Sequence, residues 1–300
     1  SIKSLERDYK HYYFIIRGVT IMKLNNNAEI YLPFEENREA AMDKTTHMVF
    51  SAHQDDIEIM AQHGILSCFG DPNSWFAAVV CSDGAGSSRS GIYQNYSDDE
   101  MKEIRIVEQK KAAVVGEYSF LALLKYSSAQ IKDTTFSPLV EDIKTLLLKV
   151  RPKIIYTHSP ADKHDTHVAV VLRVLSALRQ ISQEYRPEFF YGCEVWRGLD
   201  WVNDDEKIIL DVSGHPALRA SLLGVFDSQI EGGKRYDLAA LGRQAANATF
   251  YASHDTDKTD AATYALDLLP LIDSEDIYGY IDGYIRRFSE DIKSKIEKFK

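Results

Sequence analysis

Short apolar runs alternate with helix-length segments through the middle of this chain. His47-Met48-Val49-Phe50-Ser51-Ala52 is the first run, Trp75 to Cys81 the second, Phe120 to Leu124 the third and Lys153 to Thr157 the fourth. Asp99 to Gly116 and Pro138 to Val150 lie between the later runs, and each ends at a helix stop, Gly116 or the Arg151-Pro152 step. Strands alternating with helices of this length imply right-handed βαβ units and a mainly parallel sheet covered on both faces. The expected fold is α/β and Rossmann-like.

The two ends follow other rhythms. Tyr12 to Ile16 and Val19 to Met22 are β-prone, and Asn25-Asn26-Asn27 is a turn signal before Ile30-Tyr31-Leu32, so residues 1–45 read as an N-terminal β extension, a hairpin or an edge strand. Residues 46–300 form the main domain. Beyond residue 185, Glu194 to Trp201 and Lys207 to Asp211 read as strands, His215 to Phe226 as a helix and Tyr284 to Lys300 as a charged amphipathic helix.

Composition narrows the partners. With 300 residues, 45% hydrophobic, there is apolar material for one large core. A formal net charge of −10 disfavours nucleic acid and anionic lipid surfaces. Cys68, Cys81 and Cys193 lack CxxC spacing and fit a reduced, cytoplasmic protein, with Cys68 and Cys81 in apolar, core-like surroundings. No stretch reaches the roughly 18 apolar residues of a membrane span, and Ser1 to Lys10 does not read as a signal peptide.

In an open parallel sheet the chemistry collects outside the carboxyl ends of the strands. Directly after the first strand come His53, Asp55 and Asp56; after the fourth come His158, Asp162, His164, Asp165 and His167. Each cluster alone has a plain reading, a loop whose Asp or Thr caps the next helix. Together they bring imidazole and carboxylate groups to one sheet edge, a ligand set that suits Zn2+. His158 reads equally as a pocket residue or as a structural hydrogen-bonding one, and His63 reads as a packed helical residue.

Ala52-His53-Gln54-Asp55-Asp56 resembles the Ala-His-Pro-Asp-Asp-Glu signature of the LmbE-like (PIG-L) deacetylases, and Asp162 to His167 resembles their Asp-x-His-x-Asp-His motif. The resemblance implies that His53, Asp56 and His167 ligate zinc, that Asp55 is the general base, and that His164 stabilises the tetrahedral intermediate or protonates the leaving amine. Ser82 to Gly86 resembles the family's substrate loop, and Arg105 and Glu108 its Arg-x-x-Glu helix, so Asp83, Gly84, Arg89 and Arg105 are the substrate-binding candidates. Two positions depart from the family: Gln54 stands for the usual proline, which should loosen the loop, and Thr166 for the usual aspartate.

The function implied is zinc-dependent removal of an acetyl group from the nitrogen of an N-acetylated amino sugar, a small molecule, with release of acetate and a free amine. An amidase acting on a larger conjugate and a metal-dependent carbohydrate-binding protein without turnover are the alternatives. Gly84-Ala85-Gly86 does not complete a dinucleotide fingerprint, because Arg89 occupies the third glycine position. The aromatic, amide and guanidinium mixtures around Trp196 to Trp201, Phe226 to Gln229 and Arg243 to Asn247 suit a sugar, with Trp196 and Trp201 also readable as core.

Overall fold

The computed structural model describes residues 22–35 and 37–300, together with two short strands upstream. The strands are β1 (Ile15–Ile16), β2 (Val19–Thr20), β3 (Glu29–Tyr31), β4 (His47–Ser51), β5 (Phe76–Ser82), β6 (Phe120–Tyr126), β7 (Ile154–His158), β8 (Phe189–Cys193), β9 (Ile208–Asp211) and β10 (Ala262–Asp267). The first helices are α1 (Arg38–Asp43), α2 (Asp56–Met60), α3 (Gln62–Cys68), α4 (Asp98–Val115), α5 (Ser128–Lys132) and α6 (Pro138–Val150). They are followed by α7 (Asp165–Arg179), α8 (Pro216–Gly224), α9 (Asp227–Ile230), α10 (Tyr236–Phe250), α11 (Pro270–Asp273) and α12 (Ile277–Lys298).

Eight strands form one sheet in the order β3-β6-β5-β4-β7-β8-β10-β9. The central five, β6 to β8, are parallel, whereas β3 and β10 pair antiparallel with the flanks and β9 pairs antiparallel with β10. The chain leaves β4 toward β5 on one side and later returns to lay β7 on the other. The crevice between the carboxyl ends of β4 and β7 is therefore the topological switch point, where open α/β sheets bind ligands.

The central strands are apolar throughout because both faces are covered. Met48, Phe50, Ala77, Val79 and Cys81 point into one buried cluster, while Val49, Phe76, Ala78 and Val80 point into the other. All three cysteines are buried and free. Helix ends follow local chemistry: Ser97 and Glu100 form a reciprocal capping box at the start of α4, and Gly116 caps its end. Helix α6 starts on Pro138 and stops at Arg151, which is left-handed at φ 54°.

At the N-terminus, β1 and β2 pair as a hairpin and β3 is an edge strand of the main sheet. Tyr12 to Phe14 of the expected hairpin lie outside the described residues. The segment Glu194 to Trp201 is not a strand. Strand β8 ends at Cys193, because the Glu194 carboxylate accepts hydrogen bonds from Leu199 N (2.7 Å) and Trp201 Nε1 (3.1 Å) and folds the chain into a loop. The last helix begins seven residues before the expected Tyr284, at Ile277, where Asp276 caps it. Among the described residues no helix is long and apolar enough to cross a membrane.

Candidate metal centre and active site

Both clusters lie at the switch point. The first occupies the turn between β4 and α2, and the second the loop between β7 and α7. Three of their atoms form a nearly equilateral triangle: His53 Nδ1 is 3.2 Å from His167 Nε2, and Asp56 Oδ2 is 3.3 Å from each. Bonds of about 2.0–2.1 Å to a tetrahedral zinc give ligand-to-ligand edges of about 3.3–3.4 Å. The donor set and its spacing fit that ion.

His158 offers a competing ligand, since Asp56, His158 and His167 also cluster. Its Nε2, however, accepts a hydrogen bond from the Ala52 amide at 2.8 Å, so the lone pair is already engaged and the ring proton sits on Nδ1. Burial and the neighbouring His167 hold its pKa well below that of free histidine. His158 is a neutral strut between β7 and the end of β4. His63 is likewise structural, bonded to the Tyr156 hydroxyl at 2.8 Å.

The charge balance of the triangle is that of a cation site. Burial would protonate Asp56, but His167 and His53 hold its pKa well below the ordinary value. Burial opposes a charge on His167 too, yet Asp56 and Asp162 drive its pKa up to about 10. Asp162 accepts from His167 Nδ1 at 3.0 Å and from Val195 N at 3.0 Å, which fixes the imidazole with Nε2 toward the triangle. Thr166, where the family usually has aspartate, is itself buried at the start of α7.

Asp55 stands beside the triangle with an uncommon backbone, φ 80° and ψ −30°. Such a conformation costs a non-glycine residue about 1–3 kcal/mol and persists where its surroundings fix it. Here Gln109 Oε1 accepts from Asp55 N at 3.2 Å, and Gln109 Nε2 in turn donates to Glu58 at 2.8 Å. Arg105 Nη2 donates to Asp55 Oδ2 at 2.7 Å and also to the Gln54 carbonyl. Burial raises the pKa of Asp55, and Arg105 only partly offsets it.

Arg105, one of the substrate-binding candidates, is 2% exposed and points at the candidate base from beneath. Its other ion pair, to Glu108 at 3.2 Å, leads outward, because Glu108 accepts from Ser228 N (2.6 Å) and Ser228 Oγ (2.7 Å). Ser228 and Gln229 are thus buried between α9 and α4, and Gln229 Oε1 accepts from Ser88 Oγ at 3.4 Å.

The substrate-loop candidates lie nearby. Gly84, at φ +79°, packs so closely that an added Cβ would be 2.8 Å from Gln54 Oε1 and 3.2 Å from Arg105 Cβ. Gln54 itself is 1% exposed, and its buried Oε1 has no hydrogen-bond partner among the described residues. Asp83 lies 3.5 Å from Lys102. Arg89 turns back to the Ala85 carbonyl and to Asp98. His164 caps α7, with Nδ1 accepting from Thr166 N at 3.2 Å, and its ring lies 4.9 Å from that of His53. Burial and the two neighbouring imidazoles lower its pKa, so the neutral ring carries its proton on Nε2.

Sequence reasoning missed Gln109, Glu58 and Tyr236. Gln109 is next to the Arg-x-x-Glu pair and carried a signal of position; Tyr236, whose phenol pKa is raised by burial and by Asp55 and Asp56, carried none.

A mostly parallel α/β sheet with a histidine–aspartate cluster at its switch point defines the class of protein. Residues 48–178 match the family model described as PIG-L: GlcNAc-PI de-N-acetylase, so the chain carries a PIG-L (LmbE-like) domain over that span. No curated protein sequence matches the chain. Among solved structures it is similar to the conserved protein TT1542 from Thermus thermophilus, with 15% identity, TM-score 0.59, 75% of this chain and 94% of that chain covered. It is also similar to N,N'-diacetylchitobiose deacetylase from Pyrococcus horikoshii, with 15% identity, TM-score 0.56, and 77% and 87% covered. A third similar structure is GalB, the 4-carboxy-2-hydroxymuconate hydratase from Pseudomonas putida KT2440, with 17% identity, TM-score 0.54, and 76% and 97% covered. A deacetylase and a hydratase on one fold mean that the reaction must be argued from the site.

Proposed function

We propose that the protein is a zinc-dependent deacetylase that hydrolyses the acetamido group of an N-acetylated amino sugar. The observation that carries this reading is the triangle of His53, Asp56 and His167 with a separate carboxylate, Asp55, and a separate imidazole, His164, beside it. A binding site would need only the triangle. The family match over residues 48–178 supports the same reaction class.

A zinc ion bound by the three ligands would acidify water and polarise the amide carbonyl. Asp55, held through Oδ2 by Arg105, keeps Oδ1 as the acceptor for a proton from the attacking water. His164, neutral, donates a hydrogen bond from Nε2 to the developing oxyanion. Asp162 keeps His167 in the tautomer that presents Nε2. As the C–N bond breaks, the proton taken by Asp55 returns to nitrogen, leaving acetate and a free amine. The small-molecule acetamido sugar and the cytoplasmic setting belong to this proposal; three free, buried thiols support the latter.

The test is acetate release from N-acetylglucosamine, N-acetylglucosaminyl-inositol and diacetylchitobiose, before and after chelation and zinc restoration. Release that chelation stops and zinc restores is expected. Absence of release from all three by zinc-loaded protein would overturn the substrate class.

A further inference from the structure

A cavity of about 940 Å³ opens between the β8–β9 loop, α10, β10 and α12. Its lining runs from Trp196 to Lys295, wholly outside the segment matched to the PIG-L family. At its inner end Arg197, Gly198, Arg243, Asn247 and Tyr264 continue into a narrow niche that reaches Thr263. Thr263 is 9% exposed, and its buried Oγ1 has no hydrogen-bond partner among the described residues. An unpaired buried hydroxyl costs free energy unless something supplies its hydrogen bond.

The walls select a kind of ligand. Lys207 is neutralised by Asp204 at 2.7 Å and Lys295 by Asp291 at 2.6 Å. The remaining guanidinium groups, Arg197 and Arg243, are matched in number by Asp200 and Asp205. The balance of sign gives no net field for a phosphate or an ammonium, yet leaves many donors and acceptors. Between them stand the rings of Trp196, Phe250, Tyr264 and Phe288. Phe250 is 79% exposed, far more than a packed aromatic, and lies at the mouth. Apolar faces for stacking beside planar polar groups suit a ring that has C–H faces and equatorial hydroxyls.

We propose that this cavity is a second binding site, for a neutral saccharide. It is independent of the deacetylase reading but mechanically joined to the metal site, because Val195, immediately before Trp196, donates its N–H to Asp162. The ring of Trp196 also meets Tyr236 edge-on at 5.9 Å.

The experiment is calorimetric titration with cellotetraose, maltotetraose and mannotetraose, none of which carries an acetamido group. Two variants report the site: Phe250→Ala removes an exposed ring, and Gly198→Leu fills the lumen at a position where an added Cβ meets nothing nearer than 3.8 Å. Saturable binding of at least one saccharide is expected. At least one of the two variants, melting like the parent, should weaken it about tenfold, and His164→Ala should leave it intact. Failure of all three saccharides to saturate, equal binding by both variants, or loss of binding in His164→Ala would overturn the proposal. So would binding of inorganic phosphate that Gly198→Leu abolishes, which would define an anion site.

Discussion

Arg105 and Asp55 are joined by a 2.7 Å ion pair beneath the metal triangle, although fifty positions separate them in the chain. The arginine is the only cation within hydrogen-bond reach of that carboxylate among the described residues, and it is also bonded to Glu108. Removing it strands two buried acids. Arg105→Ala should therefore lose about 3–5 kcal/mol of stability, read as a lower denaturant midpoint. Arg105→Lys, which keeps the charge but not the fork, should fold and lower kcat more than it raises KM. Wild-type kcat in Arg105→Lys would show that the pair serves folding alone.

The adjacent aspartates should part company when each is made an amide. Asp55→Asn retains zinc and loses roughly 10²- to 10⁴-fold in rate, since an amide cannot take the proton. Asp56→Asn weakens metal binding, and excess zinc partly restores its activity. Metal content and acetate release measured on both variants decide the assignment; the reverse pattern exchanges their roles.

Asp162 should act through His167 alone. Asp162→Asn still accepts from one donor but no longer carries charge, and zinc affinity should fall about 10- to 100-fold. Competition with a chromophoric chelator measures it, and an unchanged affinity would detach Asp162 from the metal site.

His164→Ala should leave zinc stoichiometry at one per chain and cut kcat on the order of 10²-fold. Full turnover in this variant would reduce His164 to the helix cap it also provides for α7.

His47 gives a pH prediction remote from the metal. Burial, reinforced by His63, pushes its pKa down to about 4 from 6.5. The unfolded chain gains its proton first as pH falls, so the contribution of neutral His47 is complete above about 6.5 and lost between there and about 4. The loss amounts to about 3 kcal/mol. His47→Gln should show a correspondingly flatter stability profile across that window in urea titrations; a parallel profile would mean that His47 is not the group responsible.

The central sheet was legible because its strands are buried on both faces, and unbroken apolar runs such as Phe76 to Cys81 can be little else when turn signals bound them. The sequence placed the clusters of His53 and His167 at one sheet edge, but that β4 and β7 are neighbours, which brings the two rings together, is seen only in the structure. Strand β8 was not legible: Gly192 interrupts its apolar run, and glycine is needed there because a Cβ would be 2.8 Å from Leu268. Glu194 to Trp201 has strand-like composition, and only the inward turn of one carboxylate makes it a loop. The direction of Arg105 was hidden for a similar reason. An arginine beside a substrate loop has the same letter whether it faces the ligand or the base.

The hydrogen bond from the Ala52 amide to His158 ties the two halves of the crevice together at 2.8 Å. Because that tie involves neither His53, Asp56 nor His167, the register between β4 and β7 is set by protein atoms alone. Any change that lengthens this tie would therefore part the loop that carries His53 and Asp56 from the one that carries His167, without altering any of the three.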